Sequence, residues 1–170
     1  MATTKDHLAI YLNDHLAGAT GALQLLDDLL NDDDPSLRRL ITELRQAIAE
    51  DRDELMRLMR SAGIDMSPAR AGGGWIASKA AELKLALDDS TNGALWIFEL
   101  LEALALGIEG KRALWSVLKS VSDVVPVLRV ADYERLAGRA DYQRQVIEGK
   151  RLDWAATALA AKEPAGRVDN

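Results

Sequence analysis

The chain contains no cysteine. This excludes disulfides, thiolate nucleophiles, iron–sulfur clusters and cysteine-based zinc sites together, and it fits a reducing cytoplasm. Histidine is nearly as scarce, with only His7 and His15 in 170 residues. Four prolines occur; Pro35, Pro126 and Pro164 fall where helix boundaries are expected, and Pro68 falls in a linker. β-Branched residues never alternate with polar ones, so nothing reads as a strand. There is no long apolar run either. The greasiest stretch, Ala94 to Ile108, is interrupted by Glu99 and Glu102 and is shorter than the ~20 residues that a membrane span needs. The first residues, Met1 to His7, lack the basic-then-apolar layout of a signal peptide. No membrane span and a cytoplasmic location are therefore expected.

What is present points to one globular domain. Apolar residues make up 48% and charged residues 28%, a balance that buries a core and keeps a solvated surface. A chain of 170 residues needs no staple to do so. The net charge of −6, with signs interspersed, argues against a nucleic-acid partner, because phosphate backbones are bound by clustered Lys and Arg.

The apolar spacing predicts four long helices. The first runs from Thr4 to about Leu30, with a seam through Leu8, Leu12, His15, Ala19, Ala22, Leu26 and Leu29 that alternates steps of four and three. Asn31 to Pro35 is a turn, with Asp34 placed to cap the next helix and Pro35 at its first position. The second helix runs from Pro35 to about Ala62 and stops at Gly63. Its seam is Leu37, Ile41, Leu44, Ile48, Asp51, Leu55, Leu58 and Ala62. Residues 64–90 form a crossover containing Gly72-Gly73-Gly74 and a short amphipathic helix from Trp75 to about Leu87. The third helix starts near Asn92 and ends near Val121, and its apolar residues spread around more than one face. Ser122-Asp123 is placed to cap a fourth helix with Pro126 in its first turn, running to about Ala161. This helix is the most polar, with a seam through Tyr133, Leu136, Ala140, Ile147 and Trp154. The expected domain covers residues 1–161, and the Pro- and Gly-containing tail 162–170 is expected to fray. The fold class expected is an all-α, ferritin-like four-helix bundle of two antiparallel hairpins joined by the long crossover.

Three polar residues interrupt the seams: His15, Asp51 and Lys111. Residues equally distant from a turn centred near Asp33 sit level in an antiparallel hairpin, which sets His15 opposite Asp51. If the third helix runs parallel to the second, the same level reaches Glu109 and Lys111. A buried carboxylate is costly unless paired and hydrogen-bonded. A layer of His15, Asp51 and Lys111 would satisfy that demand and fix helix register without doing chemistry.

The alternative is a metal. Bundles hold iron or manganese with carboxylates and histidines on facing helices. Here the candidate ligands are His15, Asp51, Glu54, Glu102 and Glu109. The di-iron pattern, however, wants Glu-x-x-His on two helices. This chain has Asp51-x-x-Glu54 on the second helix, with acid where the histidine should be, and the fourth offers Asp141 and Glu148 but no histidine. Lys111 at the same level would repel a cation. No nucleophile elbow or P-loop appears, so no catalytic residue is assigned and the balance lies against an enzyme. A third reading is a carrier of a small apolar ligand held between helices near Trp96 and Trp115.

Three stretches carry a resemblance. They are Tyr11-Leu12-Asn13-Asp14-His15-Leu16-Ala17-Gly18-Ala19, Ala49-Glu50-Asp51-Arg52, and Leu106-Gly107-Ile108-Glu109-Gly110-Lys111-Arg112-Ala113-Leu114-Trp115. Together they resemble an uncharacterised family of bacterial helical proteins, similar in outline to ferritin-like proteins. The resemblance implies the bundle and a link to iron or oxidative stress, but brings no established activity. The function expected is that of a non-catalytic bundle with a structural polar layer and a self-association or binding role, with homo-oligomers as partners. No cofactor is assigned, iron and manganese being the candidates of the alternative reading.

Overall fold

Regular apolar spacing becomes four helices. The computed structural model describes residues 4–30, 35–67 and 93–160. These hold α1 (Thr4–Leu29), α2 (Pro35–Ser61), α3 (Gly93–Val121) and α4 (Tyr133–Leu159), with a 3-10 turn at Pro126–Leu128 and no strand among the described residues. The chain is an all-helical bundle. The expected Asp34 cap, Pro68, the Gly72-Gly73-Gly74 run, the Trp75–Leu87 helix, the start at Asn92 and the tail 162–170 lie outside the described residues.

Gly63 ends α2 as its sequence position suggests. It takes φ +61°, a left-handed conformation that costs glycine little. The Gly63 N–H donates to Arg60 O at 3.1 Å and the Ile64 N–H to Met59 O at 2.9 Å. That is the Schellman pattern, closed by the apolar contact between the residue after the glycine and the last turn. Ile64 and Met59 are both buried in one cluster.

The start of the last helix differs from expectation. Ser122 and Asp123 do not cap α4, and Pro126 is not in its first turn. α3 stops at Val121, Pro126 opens the 3-10 turn, and α4 begins at Tyr133. Asp132 supplies the cap, its side chain accepting from the Arg135 N–H at 3.0 Å. Two contacts hold the intervening chain. Leu128 is wholly buried, and the Tyr133 hydroxyl donates to Leu128 O at 2.5 Å. These contacts join residues of the loop to the far end of α3, where Trp115 lies 6.4 Å from Tyr133.

Burial pushes the Tyr133 hydroxyl up to about 12. A folded chain that keeps this proton while the unfolded chain loses it near 10 is stabilised below that range and loses the contribution as pH rises through it. Tyr133→Phe should cost about 1 kcal/mol near neutrality through the lost hydrogen bond. The deficit should shrink between pH 10 and about 12, as read by chemical denaturation at stepped pH. A deficit constant with pH would count against this assignment.

Ion pairs report the helix directions. Between α3 and α4 they run Glu102–Arg151, Glu109–Arg144, Arg112–Asp141 and Lys119–Glu134, at 3.0, 3.7, 3.7 and 3.1 Å. Numbers rise on one helix as they fall on the other, so the two are antiparallel. Asp27–Arg45 and the Asn13 contacts to Asp65 and Ser67 order α1 against α2 in the same way. Exposed pairs of this kind add little stability individually; here they mark the register.

The apolar interior falls into two clusters. One joins Leu23 and Leu26 of α1, Leu37 to Ile48 of α2, Ile97 to Ile108 of α3, and Ala140 and Ile147 of α4. The other joins Leu12, Leu55 to Met59, Leu114 to Leu118, and Tyr133 and Leu136. The early turns of α2 therefore meet the early turns of α3, and the late turns meet the late, so these two helices run parallel.

Candidate functional site: a buried polar layer

The two clusters are separated by charge. The break falls between Ile48 and Leu55 on α2 and between Ile108 and Leu114 on α3. Asp51 and Lys111 occupy those gaps. Each sits at a seam position that would otherwise carry an apolar residue, so ordinary helical periodicity aims both at the core.

Asp51 is 2% exposed. Its Oδ2 accepts from Lys111 Nζ at 2.5 Å and from Gln143 Nε2 at 2.9 Å. Lys111 Nζ also donates to Gln143 Oε1. The three side chains thus close a triangle in which an amine, a carboxylate and an amide each serve the other two. Arg139 Nη2 lies 3.2 Å from Asp51 Oδ1, but its hydrogens are aimed at Glu50 Oε2 and Ala47 O. Asp51 Oδ1 receives charge attraction and no hydrogen bond. Burial lowers the affinity of Lys111 for its proton, an effect that the Asp51 carboxylate opposes.

Gln143 is the residue that the sequence reading missed. It sits on the inward seam of α4, between Ala140 and Ile147, and is 5% exposed. A polar residue breaking an apolar seam marks Asp51 and Lys111, and Gln143 carries the same mark. The seam of α4 is weak enough that the break did not stand out.

His15 does not join this group. It is half-buried and lies edge-on to Tyr11 of its own helix, with ring centroids 4.7 Å apart. Burial pushes its pKa down, and Asp14 opposes the shift. The expected pairing with Asp51 rested on a turn centre near Asp33. The observed register is shifted: Asp27 pairs with Arg45, which puts the level of Asp51 near Gly21, roughly 9 Å along the axis from His15 at 1.5 Å per residue. On α1 the boundary between the clusters runs between Leu16 and Ala22, a stretch of small residues rather than a polar one. His7 is exposed.

The remaining candidate ligands are each held by arginine. Glu54 lies 2.9 Å from Arg57 and 3.2 Å from Arg135. Glu102 is 3.0 Å from Arg151. Glu109 pairs with Arg112 at 2.5 Å, a contact that holds its carboxyl below the usual range. Among the described residues no three His, Asp or Glu side chains are grouped so as to hold one ion. His15, Asp51, Glu54, Glu102 and Glu109 are thus not gathered into one site.

The two tryptophans expected to flank an apolar ligand are also apart. Trp96 packs against the first cluster and Trp115 lies inside the second, about 28 Å apart along one helix axis. An open depression is lined by Pro35, Arg38, Arg39, Thr42 and Glu43, with neither tryptophan in its lining.

Asn13 is a second buried polar residue that the sequence reading passed over, at 5% exposure. Its amide donates to Ala9 O at 2.8 Å and Asp65 O at 3.1 Å, and its oxygen accepts from the Ser67 N–H at 2.7 Å. It clamps the chain leaving α2 against α1. Asn13→Ala should cost roughly 2 kcal/mol, because two backbone groups lose their partner, and should speed amide exchange at Ser67. Unchanged exchange there would refute the clamp.

Comparison of the chain with protein-family models, with curated proteins and with solved structures finds no match. Among the described residues no helix is long and apolar enough to cross a membrane.

Proposed function

We propose that this chain is a non-catalytic, ferritin-like bundle of the cytoplasm whose polar layer is structural and whose role is to associate with other protein surfaces. One observation carries this reading: the polar groups of the layer are spent on one another, save Asp51 Oδ1, which faces the Arg139 guanidinium without a hydrogen bond. Asp51 faces Lys111, Gln143 and Arg139, and a cation arriving there would have to displace an ammonium and approach a guanidinium. Supporting the ferritin-like connection is the parallel run of α2 and α3, the relation between the second and third helices that sets a ferritin-like bundle apart from a simple up-down-up-down one. The resemblance to a bacterial helical family belongs to the same proposal.

The layer's role is specificity. A charged triangle between two apolar clusters is satisfied in only one register of α2, α3 and α4, since sliding any helix by a turn strands a carboxylate or an amine among leucines. The test is elemental analysis of the untagged protein after growth in medium supplemented with iron and manganese. No stoichiometric metal is expected. Tightly held metal that is lost in Asp51→Asn would overturn this reading and restore the metal-binding one.

A further inference from the structure

α4 carries two heptad seams. The inward one is Leu136, Ala140, Gln143, Ile147 and Trp154, buried or packed against the core. Two residues further on at each step runs a second: Gly138, Tyr142, Gln145, Gly149, Leu152, Ala156 and Leu159. Its steps alternate four and three without interruption, and every member is exposed. Tyr142, Leu152 and Leu159 are 67%, 57% and 66% exposed. The outward face of a surface helix is ordinarily charged; this seam, from Gly138 on, carries no charge. Glycine inside a helix weakens it, yet a Cβ on Gly138 or Gly149 would meet nothing within 4 Å. Among the described residues nothing approaches these two glycines closely enough to require them.

We infer that this outward seam is a homodimer interface, in which α4 pairs antiparallel with α4 of a second copy. This rests on the reading of the chain as an associating bundle and names its surface. The seam is self-complementary about a two-fold axis. In the antiparallel register Gly149 faces Leu152 of the second copy, Gln145 faces Ala156, and Tyr142 faces Leu159, so a small residue receives a large one at the centre and the bulkiest pair closes each end. The flanks are electrostatically compatible. Glu148, already neutralised by Arg151 at 2.8 Å, comes beside Ala155 of the second copy, and Asp153 comes beside Val146. The area sets the strength. The paired stretch from Tyr142 to Leu159, about 26 Å long and one helix wide, about 10 Å, covers a few hundred Å² per copy. That is below the ~800 Å² per partner of standard stable interfaces, so the dimer is weak and reversible.

Sedimentation of the full chain over a range of concentrations should show a reversible shift from monomer to dimer mass. Leu152→Glu should abolish the shift while leaving the helical signal and the unfolding midpoint of the dilute protein unchanged. The natural chain lacks cysteine, so register can be read by disulfide formation. A mixture of Gln145→Cys and Ala156→Cys chains should cross-link to each other in preference to themselves. A chain that stays monomeric throughout, a dimer indifferent to Leu152→Glu, or cross-linking only between like variants would each overturn the proposal. None of these outcomes bears on the polar layer, which the metal analysis addresses separately.

Discussion

Asp51→Ala should destabilise the protein by about 3–5 kcal/mol. The reason is asymmetry. Asp51 is nearly inaccessible, and its loss leaves the Lys111 ammonium, with a side chain 14% exposed, bonded to Gln143 and without the carboxylate that offset its own charge and that of Arg139. For a chain of this length that corresponds to a fall of roughly 10 °C in the unfolding midpoint. Replacing the whole triangle should behave differently. Asp51→Leu, Lys111→Met and Gln143→Leu together remove every stranded group, and apolar replacement of a buried ionic cluster is often neutral or stabilising. The triple variant should therefore recover most of the stability lost in Asp51→Ala. If the layer acts as a register device, recovered stability should come with loss of uniqueness: broadened side-chain NMR signals and a weaker near-ultraviolet signal from Trp115. A triple variant as sharp as the parent would remove the register role and leave the layer without one. An unchanged midpoint in Asp51→Ala would show that the carboxylate faces water.

Trp115→Ala is the second large loss, about 3–5 kcal/mol. The indole is 1% exposed and sits in the second cluster beside Tyr133. Removing it also unseats the Tyr133–Leu128 hydrogen bond that holds the loop ahead of α4, so the damage should spread to residues 126–133 and be visible there as faster amide exchange. Trp115→Phe is the informative control. The indole Nε1 is buried without a hydrogen-bond partner, and phenylalanine removes that unsatisfied donor while leaving a smaller cavity. Its cost should be well under half that of Trp115→Ala. Equal losses in the two variants would mean that the indole nitrogen finds a partner, such as an ordered water.

Lys111 adds a dependence on pH whose sign is set by burial. Its proton affinity is lower in the folded chain than in the unfolded one. Between the depressed folded pKa and the ordinary value of 10.5 the unfolded state binds more protons, so the Lys111 contribution to stability rises with pH. The Lys111→Met variant should lack that rise, and the difference between the two titrations isolates the residue.

Much of the secondary structure was legible from periodicity. α1, α2 and α3 end within a residue or two of where the apolar spacing and Gly63 put them, because amphipathic repeats and a left-handed glycine are local features. The start of α4 was not legible. Ser122-Asp123 is as good a cap as Asp132 by residue type, and the choice between them was made by Leu128 and Tyr133 packing against the far end of α3. That contact is invisible to local reading.

The polar layer divides along the same line. Sequence alone identified Asp51 and Lys111 as misplaced charges, since each breaks an otherwise apolar seam and burial forces such groups to seek partners. Which partners they find depends on register, and register depends on how far one helix slides on another. A shift of a few residues takes His15 away from the level of Asp51, and Gln143 of α4 partners the carboxylate instead. The sequence determined that this chain is helical, apolar along a stripe of each helix and around more than one face of the third, and in need of a mid-bundle solution for two buried charges. Only the tertiary structure decided that α2 and α3 run together, that the solution comes from α4 rather than α1, and that no described residue covers the outward seam of α4. Periodicity encodes which face of a helix is buried, whereas the depth at which two faces meet is set by the packing of the whole bundle.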